Sequence, residues 1–116
     1  MDELFDDLKT IMAKHEAKLE IVTDKPGNYY LNSKKPNAKG KPVFFGMVKT
    51  SKKKVAFHLM PIYDEPSLLA DISPELKKKM QGKSCFNFTK QEPELLKELE
   101  ALTQASFESY VSKGKA

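Results

Sequence analysis

Residues 42–61 read PVFFGMVKTSKKKVAFHLMP. Two apolar runs, Pro42–Thr50 and Val55–Pro61, flank the tetrapeptide Ser51-Lys52-Lys53-Lys54. Both runs are rich in Phe, Val and Met and lack helical spacing, so they predict strands. The connection is too short for a crossover, which makes the pair antiparallel. Both runs are apolar on either face, so they are expected near the middle of a sheet. Gly46, inside the first run, predicts a bulge or a close packing contact.

Upstream, residues 2–18 predict an amphipathic helix, with Leu4, Phe5, Leu8, Ile11, Met12 and His15 on one face. Asp2, Glu3, Asp6 and Asp7 open it and Lys14 and Lys18 close it, an ordering that suits the helix dipole. The period then changes to two: Leu19, Ile21 and Thr23 alternate with Glu20 and Val22. Asp24-Lys25-Pro26-Gly27 has turn chemistry, and a second strand follows through Tyr29, Tyr30 and Leu31, so 19–32 reads as a hairpin. Residues 33–41 form a polar, lysine-rich loop.

Downstream, Asp64–Met80 predicts two short helices, capped by Asp64 and Ser73 and each led by a proline. Gly82 is placed to end the second. Lys83–Phe88 predicts a last strand, 91–112 a final helix, and 113–116 a frayed end. The order of elements gives an α+β fold: a two-layer sandwich, a mostly antiparallel sheet of about five strands with the N- and C-terminal helices on one face. At 116 residues the chain is expected to form one domain spanning 1–116, large enough for a core without metal or disulfide support.

The charge is unevenly placed. From Lys25 to Tyr63 there are nine lysines and no carboxylate, although the whole chain carries only +4. All twenty basic residues are lysine. Arginine is the preferred reader of guanine edges and the preferred bidentate clamp on phosphate, so its absence argues against a sequence-specific DNA reader. No apolar run is long enough to span a membrane. The Met-Asp-Glu start is not expected to act as a secretory signal or transit peptide. A single cysteine, Cys85, leaves no internal disulfide, and a cytoplasmic setting is expected.

Four groups of residues invite chemistry. Lys34, Lys35, Lys39, Lys41, Lys52, Lys53 and Lys54 form a candidate anion surface. Lysines at strand tips also keep sheets from aggregating, so nucleic acid is the less favoured reading of them. Cys85 and His58 invite a thiol–imidazole pair with Lys83 beside it, but both lie mid-strand among Phe and Met, where a thiol behaves as a small hydrophobe. One Cys with His15 and His58 does not make a zinc site; Asp2, Glu3, Asp6 and Asp7 suit a hard cation better, and dipole complementation explains them without one. Gly82-Lys83-Ser84 copies the tail of a phosphate-binding loop, but position 77 is lysine where glycine is required, and a strand follows where a helix is required.

The segments Phe44-Phe45-Gly46, Leu59-Met60-Pro61, Ser73-Pro74-Glu75-Leu76 and Gly82-Lys83-Ser84-Cys85-Phe86-Asn87-Phe88 occur in an order that resembles the YdhG-like domain. This is a family of small bacterial proteins of unknown function, and the resemblance spans roughly 40–110. It implies the two-layer sandwich and no agreed activity or cofactor. Some members carry a frataxin-like iron-chaperone label, which makes iron delivery an alternative function. The leading expectation is a non-enzymatic module binding an anionic or amphipathic small ligand or partner. Its groove would lie beside His58, Met60 and Cys85, with Tyr30, Tyr63 and Lys83 at the rim. The surplus apolar surface of the middle strands also suits a homodimer interface.

Overall fold

The computed structural model describes the backbone of residues 2–116 and the side chains of residues 3–116. Five strands, β1 (Leu19–Lys25), β2 (Asn28–Ser33), β3 (Phe44–Ser51), β4 (Lys54–Leu59) and β5 (Cys85–Phe88), form one antiparallel sheet in sequence order. Helices α1 (Asp2–Ala13) and α4 (Pro93–Ser112) cover one face, joined by two short helices, α2 (Met60–Asp64) and α3 (Pro74–Lys77). The expected α+β sandwich is therefore present, with β3 at its centre.

Register assigns the faces. Tyr29 pairs with Val48, Val48 with Phe57 and Phe57 with Phe86, and all four are buried against the helices. The ring of Phe45 meets Phe107 and Tyr110 of α4 edge-on. The neighbouring rows carry Tyr30, Met47, His58 and Cys85 on the opposite face, which no helix among the described residues covers. A register shift between Leu31 and Asn32 makes Phe45 an extra residue in β3. Such a bulge puts consecutive residues on one face. Phe45 and Gly46 both turn inward, and Phe44 turns outward, its ring tilted against that of Tyr30. A Cβ on Gly46 would lie 2.7 Å from the His58 carbonyl oxygen and 2.7 Å from Met12 Cε, so the bulge and the close contact occur together.

Several local expectations are corrected. Helix α1 stops at Ala13 and not at residue 18, and Glu16–Lys18 is a 3-10 turn. His15 stacks on Phe107 and the Glu16 carboxylate accepts the Tyr29 hydroxyl at 2.7 Å, which turns the chain into β1. In β1, a bulge between Ile21 and Thr23 breaks the alternation and leaves Ile21 and Val22 exposed on the free edge. Met60 and Pro61 do not continue β4; they open α2, because Pro61 has no N–H for a strand ladder and its fixed φ suits a first helical turn. Asp64 ends α2 and caps nothing; its carboxylate faces Tyr110 and Lys115.

Ser73 does cap α3, accepting the Leu76 N–H at 3.2 Å. Helix α3 is a single turn, however, and Met80 already bridges Phe86 before Gly82 is reached. Gly82 adopts φ +83° in the turn that follows. Lys83 lies in that turn and not in β5, so it does not share a strand face with Cys85. The chain end does not fray: Lys113 pairs with Glu65, Lys115 pairs with Asp64, and the Lys115 carbonyl accepts the Ser33 hydroxyl.

Candidate functional site

The six residues expected around one groove fall on three separate surfaces. Tyr30, His58 and Cys85 lie on the uncovered face of the sheet. Met60 lines a cavity of about 550 Å³ beneath the 33–43 loop, with Phe44, Asp64, Tyr110 and Lys115. Tyr63 and Lys83 line a third site between α2, α3 and the Gly82 turn. The cause is Pro61. By starting a helix at Met60 it carries the residues after Leu59 off the sheet.

The uncovered face carries a row of rings. Tyr30 on β2, Phe44 on β3 and His58 on β4 are neighbours, with ring centroids 4.8 and 5.4 Å apart. Met47 and Cys85 continue the strip, and all five side chains are half-buried. Asn32, beside Phe44, is 9% exposed, and its Oδ1 has no hydrogen-bond partner among the described residues. Lys49 and Lys54 occupy the same face nearer the β3–β4 tip. Lys52 and Lys53 form that tip, and Lys34, Lys35, Lys39 and Lys41 lie in the loop at the other end. Asn37 organises this loop, its Oδ1 accepting the backbone N–H groups of Lys39 and Lys41.

His58 and Cys85 are paired across β4 and β5, yet the imidazole is used elsewhere. His58 Nε2 lies 2.7 Å from Ser84 Oγ. Partial burial lowers the His58 pKa, so the ring is neutral at pH 7. Burial raises the Cys85 pKa, and the Lys54 ammonium offsets this only in part. The thiol points to Asn87 Oδ1 at 3.8 Å. A protonated thiol without a base is a poor nucleophile.

The third site is a groove of about 600 Å³ lined by Ile62, Tyr63, Pro66, Leu69, Met80 and the two lysines 77 and 83. Ile62 is buried at its root, while Tyr63 stands 53% exposed on its wall. Among the described residues no carboxylate lines it. The two acids that follow Tyr63, Asp64 and Glu65, turn away to Lys115 and Lys113 at 3.2 and 3.0 Å. Among the described residues neither Lys77 nor Lys83 has a carboxylate within ion-pair distance. Sequence spacing gave no sign of Lys77, Leu69 or Pro66 here, because three separate turns bring them together.

The acidic start of α1 provides no convergent donor set. Asp7 accepts the Gln91 amide at 2.6 Å, and Asp6 faces a shallow cleft beside Lys9 and Lys25. The side chain of Asp2 lies outside the described residues. Among the described residues no group of three or more His, Cys, Asp and Glu side chains is placed to hold a metal ion. No helix among them is long and apolar enough to cross a membrane. Comparison with protein-family models, curated proteins and solved structures finds no match to this chain.

Proposed function

We propose that this protein is a non-enzymatic binding module for a small amphipathic anion, held in the groove between α2, α3 and the Gly82 turn. The observation that carries the reading is the groove's composition. Five apolar side chains form its walls and two lysines without carboxylate partners stand at its rim. Small-molecule sites typically enclose about 300–1,000 Å³, mostly apolar, with a few placed polar groups, and this groove has that size and character. The apolar tail of a ligand would lie on Leu69, Pro66 and Met80, and its carboxylate or phosphate would meet Lys77 and Lys83. The nearby carboxylates of Asp64 and Glu65 are neutralised by the chain end, so the local field favours an anion.

The test is a titration of isotopically labelled protein with decanoate, followed by NMR. Shifts should concentrate at Tyr63, Leu69, Met80 and Lys83, with a Kd between about 10 μM and 1 mM, or about −7 to −4 kcal/mol. Decanol and a decyl ammonium salt should bind at least about tenfold more weakly. Equal binding of the alcohol, or no shift in the groove, removes the proposal.

A further inference from the structure

The uncovered face of the sheet is a second surface, remote in chemistry from the groove. Its middle is an apolar, aromatic strip and its ends are cationic. Across the strip run Tyr30, Phe44, Met47 and His58, on three adjacent strands. At one end the two hairpin tips are tied together by the Thr50 N–H donating to the Gly27 carbonyl, which draws Lys25, Lys49, Lys52, Lys53 and Lys54 into one region. At the other end, Lys35, Lys39 and Lys41 project from an ordered loop. Among the described residues none of these lysines is in an ion pair. Of the strand carboxylates, Asp24 is engaged by Lys9 of α1 on the covered side, and Glu20, opposite Asn32 on the edge strand β1, is among the described residues the one strand acid on this face against these lysines.

We infer that this face binds single-stranded nucleic acid without sequence preference, with bases against the Tyr30–Phe44 strip and phosphates at the lysines of the two ends. Three features favour that partner over other anions. The cationic groups lie at both ends of the strip, so they suit a chain with charge repeated along its length. The rings between them offer apolar and π contact that a polyanion lacking bases cannot use, and base–aromatic contact tolerates any sequence. The charge is all lysine, a point charge that holds phosphate without the bidentate geometry of base readout. Asn32 adds a polar handle: its unpartnered Oδ1, beside Phe44, can accept from an exocyclic amine or ring N–H. A duplex presents its bases edge-on inside grooves and cannot lay them on a flat strip, so the duplex is the weaker ligand.

The experiment is fluorescence anisotropy with a labelled oligothymidylate of about twelve nucleotides, a length within the range spanned by single sheet-based sites. Binding should be measurable at about 20 mM salt and weaken steeply by about 200 mM, with a log–log slope near −0.7 per phosphate neutralised. The duplex of the same length should bind several-fold more weakly. Lys49→Glu with Lys54→Glu should reduce the affinity at least about tenfold and flatten the salt slope. Tyr30→Leu, which keeps apolar bulk, should weaken binding about fivefold or more at unchanged salt slope. NMR of the unaltered protein keeps the inference open to refutation should a variant misfold: oligonucleotide shifts belong at Asn28, Met47, Ala56 and Asn87, and not on α4. Equal affinity for polyphosphate or polyglutamate overturns the inference, since lysine alone would then suffice. Preferential binding to vesicles of anionic phospholipid overturns it in favour of a membrane surface. A stable dimer that shields the same amides overturns it in favour of a second copy of the chain.

Discussion

His58 Nε2 lies 2.7 Å from Ser84 Oγ, although the residue paired with His58 across the strands is Cys85. The hydrogen bond ties β4 to the turn that enters β5, and the adjacent Leu59 N–H donates to the Ser84 carbonyl at 2.8 Å. The imidazole is thereby spent on shape, and the thiol beside it has no base.

Cys85 should therefore react slowly. Its pKa is raised by burial, so the thiolate fraction at pH 7 is below that of a free thiol. Iodoacetamide labelling should be no faster than for glutathione, should accelerate as pH rises, and should be little changed in His58→Ala. Labelling faster than glutathione, slowed by His58→Ala, would reveal an activated pair after all.

Stability should fall on mild acidification. His15 and His58 both have pKa values lowered chiefly by burial. Below their unfolded value of about 6.5 the unfolded chain binds more protons than the folded one, so their contribution is full above that pH and is lost progressively as pH falls from there through the lower folded values. Urea midpoints should decrease between pH 7.5 and pH 5, about as linkage requires, and the decrease should shrink in His15→Gln and His58→Gln. A midpoint rising over that range contradicts the assignment.

Gly46 should not tolerate a side chain. An added Cβ meets the His58 carbonyl oxygen at 2.7 Å, and a backbone atom in a central strand pair cannot move aside alone. Gly46→Ala should lose about 1–3 kcal/mol in urea unfolding, the usual range for overpacking. Met12→Ala combined with it should recover little, because the second contact, Met12 Cε, is the flexible one.

Ser73 holds two partners at once. Its hydroxyl accepts the Leu76 N–H and donates to the Glu98 carboxylate at 2.6 Å, while its own N–H donates to the same carboxylate at 2.7 Å. Ser73→Ala should cost about 1–2 kcal/mol, a full cap. A double-mutant cycle with Glu98→Gln should show a coupling of about 0.5 kcal/mol or more, since the two share hydrogen bonds. Additive losses would mean that the cap and the α3–α4 tie act independently.

Tyr110 closes the end of the core. Its hydroxyl donates to the Phe44 carbonyl at 3.1 Å and lies 3.4 Å from the Asp64 carboxylate; burial first, and then this carboxylate, raises its pKa. Tyr110→Phe leaves that bulged carbonyl unpaired and should cost about 1–2 kcal/mol by thermal or urea unfolding. A neutral result would indicate that Lys115 and water take over both acceptors.

The apolar runs 42–50 and 55–61, the lysine tip between them and the turn at Pro26-Gly27 determined a meander with β3 central, because strand alternation and turn chemistry are local properties of the chain. Ser73 and Gly46 were legible for the same reason: a cap and a strand glycine each carry their meaning within a few residues. Pro61 shows where this reading stops. A proline after an apolar run can end a strand or open a helix, and only the packing of Ile62 under the sheet decided for α2. That choice separated Tyr63 and Lys83 from His58 and Cys85, and it assembled Lys77, Leu69 and Met80 into a groove no spacing foretold. The docked chain end and the bare face of the sheet likewise belong to the tertiary structure. They depend on which distant groups meet, such as Ser33 with Lys115 and Phe44 with Tyr30, and contact between those pairs is a property of the assembled layers.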